Sequence, residues 1–404
     1  MSQKGAILQL QAKGQQDTLL LEKQFNPNDN VFKSVFKKNT NFSKSRLDIA
    51  FNENVQYGKK MTAIIPKSGD LLSNLYFNFS LPPLNKTSGE FAGWTNSLGH
   101  AIIEYIELEI GGVIIDKIYG EFMEIWDELS RKTGSRQGDD LLIGKSDTST
   151  VLKDNALNGT QYYVPLHFWF SKSLSQALPM IALQHHQVKV NIKLRNFSEL
   201  LHYDGNTEPA HVDFNYANIV GEFIYLDDET RKYFAKQSYK YTISQLQLNP
   251  VLSVNSSSEN FKTSLEFNHP VSELIWVARE IDSDDNNDWF NFSRRVPTGD
   301  LVTPLLKNCN LNIDGLERFN HSEFELRLVY PHSNITNKHI YVYSFAENPE
   351  DTQPSNSLNF SKLSDVNFYM TLQSGIPECR IFIYARNINW LIITKGMAGL
   401  AFNS

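Results

Sequence analysis

The sequence predicts an all-β chain carrying two sandwiches in tandem, and three observations lead to that class. Apolar and polar residues alternate with period two over many segments of strand length. Aromatic residues make up 12% of the chain, with Phe (26) and Tyr (17) the bulk, a composition that suits pleated surfaces. Clusters of Pro, Gly, Asn and Ser separate the alternating segments, and 404 residues exceed one ordinary core, which points to two domains or one large one.

In chain order, the first half offers LDIAF (47–51), LYFNFSL (75–81), IIEYIELEI (102–110), VKVNIKL (188–194) and VDFNYANIVGEFIYL (212–226) as strands. The second half offers YKYTISQLQL (239–248), ELIWVAR (273–279), IYVYSF (340–345), VNFYMTL (366–372) and CRIFIYA (379–385). Helix is scarce. The segment IYGEFMEIWDEL places Ile118, Phe122, Ile125, Trp126 and Leu129 on one apolar stripe at helical spacing. A polar helix over 227–237 follows a long strand and precedes a new series, which makes it the natural domain boundary. The two halves follow one script: a strand ending at Gly111-Gly112 or Asp314-Gly315, then an aromatic strand pair, YYVPLHFWF with QVKVNIKL or IYVYSF with VNFYMTL. The first half carries the longer loop insertion, over about 132–160. The expected division is an N-terminal arm (1–26), a first sandwich (27–226), a linker helix (227–237) and a second sandwich (238–404).

The chemical signals are weak. His167, His185 and His186 lie in PLHFWFSKSLSQALPMIALQHH, and adjacent strand residues such as His185 and His186 face opposite sides, so they do not converge on one metal. No H-x-H, H-E-x-x-H or C-x-x-C spacing occurs, and the metal-binding cupin pattern is missing. In EIDSDDNNDWFNF, Asp282, Asp284 and Asn286 fit the first ligand positions of a calcium loop. Asn287 stands where the turn glycine belongs and Ser293 where the bidentate glutamate belongs, so an exposed loop is expected. Cys309 and Cys379 read as two buried small hydrophobes, with a structural pair as the alternative. No nucleophile elbow, phosphate loop or dinucleotide fingerprint occurs. The N-x-S/T triplets at Asn41, Asn158, Asn255, Asn291, Asn334 and Asn359 are what an Asn-rich and Ser-rich chain makes by chance, unless a cytosolic enzyme modifies them. No residue is assigned a catalytic, cofactor-binding or metal-binding role, and no cofactor is expected.

The net charge of -7 argues against general nucleic-acid binding. It is unevenly spread, with residues 1–60 near +5 and the remainder near -12. The basic cluster Lys33, Lys37, Lys38, Lys44 and Arg46 reads either as a solvated, mobile arm or as an arm facing an anionic surface such as a membrane. No apolar run approaches the roughly 20 residues needed to cross a bilayer, and the start lacks a secretory apolar region, so synthesis in the cytosol is expected.

Taken in order, several stretches resemble the major capsid proteins of the nucleocytoplasmic large DNA viruses, a group that includes iridoviruses, phycodnaviruses and marseilleviruses. GAILQLQAKGQQDTLL and FKSVFKKNTNFS are similar to the family's opening, and VPLHFWFSKSLSQALPMIALQHHQVKVNI to its P-L-x-F-[WF]-F and A-L-P-L-I-A-L-Q-Y-H segments. NPVLSV, HPVSELIWVAR and YVYSFAENPEDTQPSNSLNFSKLSDVNFYMTL resemble its second-half motifs, and INWLIITKGMAGLAFNS its terminal strand and tail.

The resemblance implies a double jelly roll, two eight-stranded sandwiches side by side, and no enzymatic activity. It implies a homotrimer of nearly hexagonal outline that tiles an icosahedral outer shell in the virion, assembled in the host cytoplasm. Its partners would be neighbouring capsomers, minor capsid and penton proteins, and the inner viral membrane through the N-terminal arm, with no direct contact to nucleic acid. Trp94, Trp126, Trp169, Trp276, Trp289 and Trp390 suit core and interface alike. The loops over 81–99 and 281–300 are short for the family, leaving little room for outward decoration. The rival classes are a jelly-roll carbohydrate-binding or attachment module and a cupin-like enzyme.

Overall fold

A computed structural model describes residues 11, 40–85, 91–131, 134, 136–146, 148–204, 206–255, 259–294, 303–331, 334, 336 and 338–402. The chain divides into two units, Met1–Phe42 and Ser43–Ser404, and the account below concerns the second. The expected arm (1–26) and Lys33, Lys37 and Lys38 lie outside the described residues, apart from residue 11.

Among the described residues, sixteen principal strands build four antiparallel sheets. In the first half they are β1 (Phe42–Ile49), β2 (Lys60–Ile65), β3 (Leu71–Leu81), β4 (Ile103–Ile110), β5 (Val113–Tyr119), β6 (Thr160–Pro165), β7 (Val188–Leu194) and β8 (Tyr216–Leu226). In the second half they are β9 (Tyr239–Leu248), β10 (Asn260–Ser264), β11 (Pro270–Glu280), β12 (Leu306–Ile313), β13 (Leu316–Ser322), β14 (Ile340–Ser344), β15 (Val366–Leu372) and β16 (Cys379–Thr394). The strand orders are β1-β8-β3-β6 for sheet 1, β2-β7-β4-β5 for sheet 2, β9-β16-β11-β14 for sheet 3 and β10-β15-β12-β13 for sheet 4. Each half therefore repeats one topology, strand for strand. Short strands at 252–254, 358–359 and 397–400 extend sheet 3, and 92–94 pairs with 201–203.

The repeat reaches single residues. The β4–β5 hairpin turns at Gly111 and Gly112 and the β12–β13 hairpin at Asp314 and Gly315, all with positive φ, as a two-residue turn of the I′ type demands. Ile115 and Arg318 are then bulged at the same distance beyond their turns. Sheets 1 and 3 share a second bulge: Ser73 and Ser272 fall out of register, and their hydroxyls donate to the carbonyls of Glu222 (3.1 Å) and Arg386 (3.0 Å).

The core explains which strands the sequence shows clearly. On β3, Leu75, Phe77, Phe79 and Leu81 point inward while Tyr76 and Ser80 stay partly exposed, giving clean alternation. Sheet 3 is buried on both faces. Leu274, Trp276 and Ala278 line the second sandwich, whereas Ile275 and Val277 join the core of the first. Two-sided burial makes β11 and β16 near-continuous apolar runs. It also carries β16 on to Thr394, past the expected end at 385, because the buried amides of Asn387 and Asn389 donate to Gln245 at 3.2 and 2.9 Å.

Four expectations need correction. The expected helix stripe begins too early: Ile118 belongs to β5, and helix α1 spans Gly120–Ser130 with Phe122, Ile125 and Leu129 buried. Gly120 is required there, since a Cβ would lie 2.0 Å from the Ile103 carbonyl oxygen. The insertion read as loop holds helices α2 (Arg136–Ile143) and α3 (Ser149–Asn158), whose exposed Leu141, Val151 and Leu157 obscure the amphipathic signal. The strand expected over YYVPLHFWF stops at Pro165, and β6 and β7 lie in different sheets rather than side by side. The boundary helix α4 (Asp228–Lys236) does form, with the Asp227 carboxylate accepting from the Thr230 N–H at 2.8 Å.

Candidate functional site: the seam between the sandwiches

The outer face of sheet 3 closes on β5 and α1 of the first sandwich. At its centre Arg279, 2% exposed, donates to Glu121 (2.5 Å) and to the Trp289 carbonyl (2.8 Å), and pairs with Asp284. Phe382 and Trp289 flank its guanidinium at 4.8 and 5.3 Å. Glu121 also accepts from the Tyr384 hydroxyl (3.3 Å), and the Arg195 guanidinium stands 3.8 Å away. Beside this cluster the Arg386 guanidinium lies 3.9 Å over the Trp126 ring and pairs with Glu273.

A second cluster ties α1 to the segment leading into β14. Glu124, fully buried, meets His100 Nδ1 (2.8 Å), Lys145 (2.8 Å) and Lys338 (2.7 Å). Burial pushes its carboxyl up, but Lys338, His100 and Lys145 hold it well below the usual carboxylate range. Thr336 donates to Glu128 at 3.2 Å, and Asn334 donates to the Arg131 carbonyl.

Asp116 links β5 to β9, accepting from the N–H groups of Leu246 (3.1 Å) and Lys117 (3.0 Å). Burial pushes its carboxyl up to about 7 in spite of those two bonds. Between the unfolded value near 4 and about 7, the unfolded chain releases this proton while the folded chain keeps it. Stability therefore falls as pH rises through that window. Asp116→Asn keeps an acceptor oxygen and removes the titration. We expect wild type to lose on the order of 2–4 kcal/mol relative to Asp116→Asn between pH 4 and pH 7, read from denaturant melts; a difference that stays constant with pH would contradict the assignment.

The residues singled out in the sequence go elsewhere. His185 and His186 occupy a bend rather than a strand, so the opposite-face reasoning does not apply to them. The His185 N–H donates to the Gly396 carbonyl (2.9 Å), and His186 Nδ1 accepts from the Ala398 N–H (3.1 Å), so both fasten the C-terminal hairpin. His167 lines an open cleft with Asp116, Trp126 and Arg386. The supposed loop at 281–293 begins as a helical turn, Ile281–Asp285. Its Asp284 is held by Arg279 and by Arg380 (2.6 Å), so it is not free to take a cation. Asn287 takes φ +57°, the conformation a turn glycine would have adopted, and its amide donates to the Ser198 and Leu201 carbonyls at 2.8 and 2.9 Å. Among the described residues no group of His, Cys, Asp and Glu could hold a metal ion. Cys309 and Cys379 are unpaired, and burial pushes both thiols up to about 12. Lys44 and Arg46 lie on β1 and face Glu222 at 3.0 and 3.5 Å.

The seam is thus a contact surface held by buried ion pairs, hydrogen bonds and packed rings. Two family models match along the chain: "Major capsid protein N-terminus" over residues 30–227, and "Large eukaryotic DNA virus major capsid protein" over residues 230–399. The chain belongs to the major capsid proteins of large eukaryotic DNA viruses. It is 33% identical to the major capsid protein of Pyramimonas orientalis virus, over 99% of this chain and 100% of that protein. It is 29% identical to that of Paramecium bursaria Chlorella virus 1, over 98% and 99%. The fold matches the quasi-atomic model of the PBCV-1 virus capsid with a TM-score of 0.81, at 24% identity over 93% of this chain and all of that one. It matches the Faustovirus major capsid protein with a TM-score of 0.75, at 12% identity over 96% of each chain. A major capsid protein has its place in the outer shell of the virion, where it assembles with other copies, and its family is structural rather than enzymatic.

The residues that hold this capsid protein's halves together were missed in the sequence. Arg279, Glu121, Glu124 and Arg386 are charges inside apolar runs, VARE, GEFMEIW and FIYAR, and that interruption was the available signal.

Proposed function

We propose that this major capsid protein forms a homotrimeric capsomer of nearly hexagonal outline that tiles an icosahedral shell. The observation that carries the reading is the strand-for-strand repeat of one topology within one chain. Three copies of a chain with two similar lobes present six similar lobes, which lets threefold symmetry occupy a sixfold lattice position. On this reading residues 27–226 and 238–404 are the two lobes, 227–237 joins them, and 1–26 is an arm. The arm would lie at the capsomer base, towards minor capsid proteins, penton proteins and the inner viral membrane, with assembly in the host cytoplasm. The basic bias of residues 1–60 supports that placement.

Light scattering of the purified protein is expected to give three times 46.3 kDa, with hexagonal plates in negative stain. A stable monomer would overturn the reading. A chain lacking residues 1–25 should still give trimers but fail in whole-particle assembly; normal particles would remove the arm from the assembly role.

A further inference from the structure

The two hairpins put β5–α1 and β13–α5 in residue-by-residue correspondence, where α5 is Glu323–Leu328. Both begin at the residue after the turn, bulge at Ile115 and Arg318, and pass straight from strand to helix, at Gly120 and Glu323. Val113 thus corresponds to Leu316, Glu121 to Phe324 and Trp126 to Val329. Glu121 and Trp126 are where sheet 3 closes on α1, through Arg279, Tyr384 and Arg386. Their equivalents are apolar and open to solvent: Phe324 is 60% exposed and Val329 65%.

The receiving face also has an equivalent. Aligned on the shared serine bulge, the outer face of sheet 1 places Ser80 where sheet 3 has Arg279, Val220 where it has Tyr384, and Tyr76 where it has Ile275. At this point the charged pair is gone: Glu121 against Arg279 becomes Phe324 against Ser80, Val220 and Tyr76, while Glu222, paired with Lys44 and Arg46, stands where sheet 3 has Arg386. Around that point Tyr76 packs on Tyr163, with ring centroids 4.7 Å apart, and Arg46 lies over Tyr76 at 5.8 Å.

We propose that Phe324 and Val329 of one copy dock on the outer face of sheet 1 of a second copy, over Ser80, Tyr76 and Tyr163. The contact repeats between chains the seam found within each chain. Each copy then carries one donor surface and one different acceptor surface, a head-to-tail arrangement that closes into a ring. The inference rests on the trimer reading above and names its contact.

The test uses the full chain. Phe324→Glu changes an exposed side chain, so the variant should fold with the circular dichroism spectrum of wild type. Light scattering should show monomer at concentrations where wild type is trimeric, and the variant's melting temperature should lose the concentration dependence that association gives wild type. In parallel, Phe324→Cys and Ser80→Cys chains are co-expressed and treated with a short bis-maleimide; the native cysteines are buried. A covalent link that forms in the mixed sample and in neither single variant supports the contact. A trimeric wild type that gives no mixed link, and whose Phe324→Glu variant stays trimeric, overturns this contact and leaves the capsomer reading standing. A monomeric wild type removes both.

Discussion

Replacing Arg279 by alanine should be among the most damaging single changes in this capsid protein. The substitution leaves Glu121 with Arg195 at 3.8 Å and Asp284 with Arg380 in place of the shared, fully buried cation, and removes the side chain packed between Trp289 and Phe382. Breaking a buried pair by deleting one partner typically costs on the order of 3–5 kcal/mol, because the remaining charge stays desolvated. The expected result is a clearly lower melting temperature in thermal scans. Arg279→Met, which keeps much of the volume, should recover little of the loss, because the cation between Glu121 and Asp284 is still missing. A variant that melts within a degree or two of wild type would show that the pair is not holding the seam.

Glu124→Gln should come close to it. The carboxylate lies among Lys145, Lys338 and His100, whose imidazole burial pushes down, and a neutral amide leaves the two lysines facing one another with Glu128 as a counter-charge nearby. A loss of about 3–5 kcal/mol at neutral pH is expected from denaturant melts. The pH dependence runs opposite to that of Asp116. The carboxyl of Glu124 is depressed in the folded state, so its contribution is present above the unfolded value and is lost as pH falls through the lower folded one. The penalty of Glu124→Gln should therefore hold from neutral pH down past pH 5 and shrink only in stronger acid. A penalty already gone at pH 5 would refute the depressed carboxyl.

Fold class was legible because one-sided burial writes itself as alternation. The strands at 188–194, 239–248 and 366–372 match their expected limits. Limits failed where the physics is not periodic. β16 runs on because buried asparagines find amide partners across the strand, and β6 stops because a proline hands the chain to 3-10 turns. The six tryptophans sort by position rather than by type: Trp94, Trp169 and Trp276 are buried, while Trp126 and Trp289 are half-buried at the seam. Trp390 is partly exposed beneath Lys240, at 4.9 Å. The seam itself was hidden because its key residues are far apart in sequence, and only pairing of the strands brings Glu121 to Arg279.

Sheet 3 also has a mechanical meaning. Its two faces belong to different sandwiches, so it acts as a party wall, and shear between the lobes must work against buried charges and close-packed aromatics at once. The covalent joint at α4 has no buried residue and is anchored to the first sandwich by Phe234 on Leu71, Ala177 and Ile224 and by Arg231 with Asp70 at 3.0 Å. Under load, such a building block is rigid across its middle and yields first at its rims, so strain in a shell made from it concentrates between chains rather than within them.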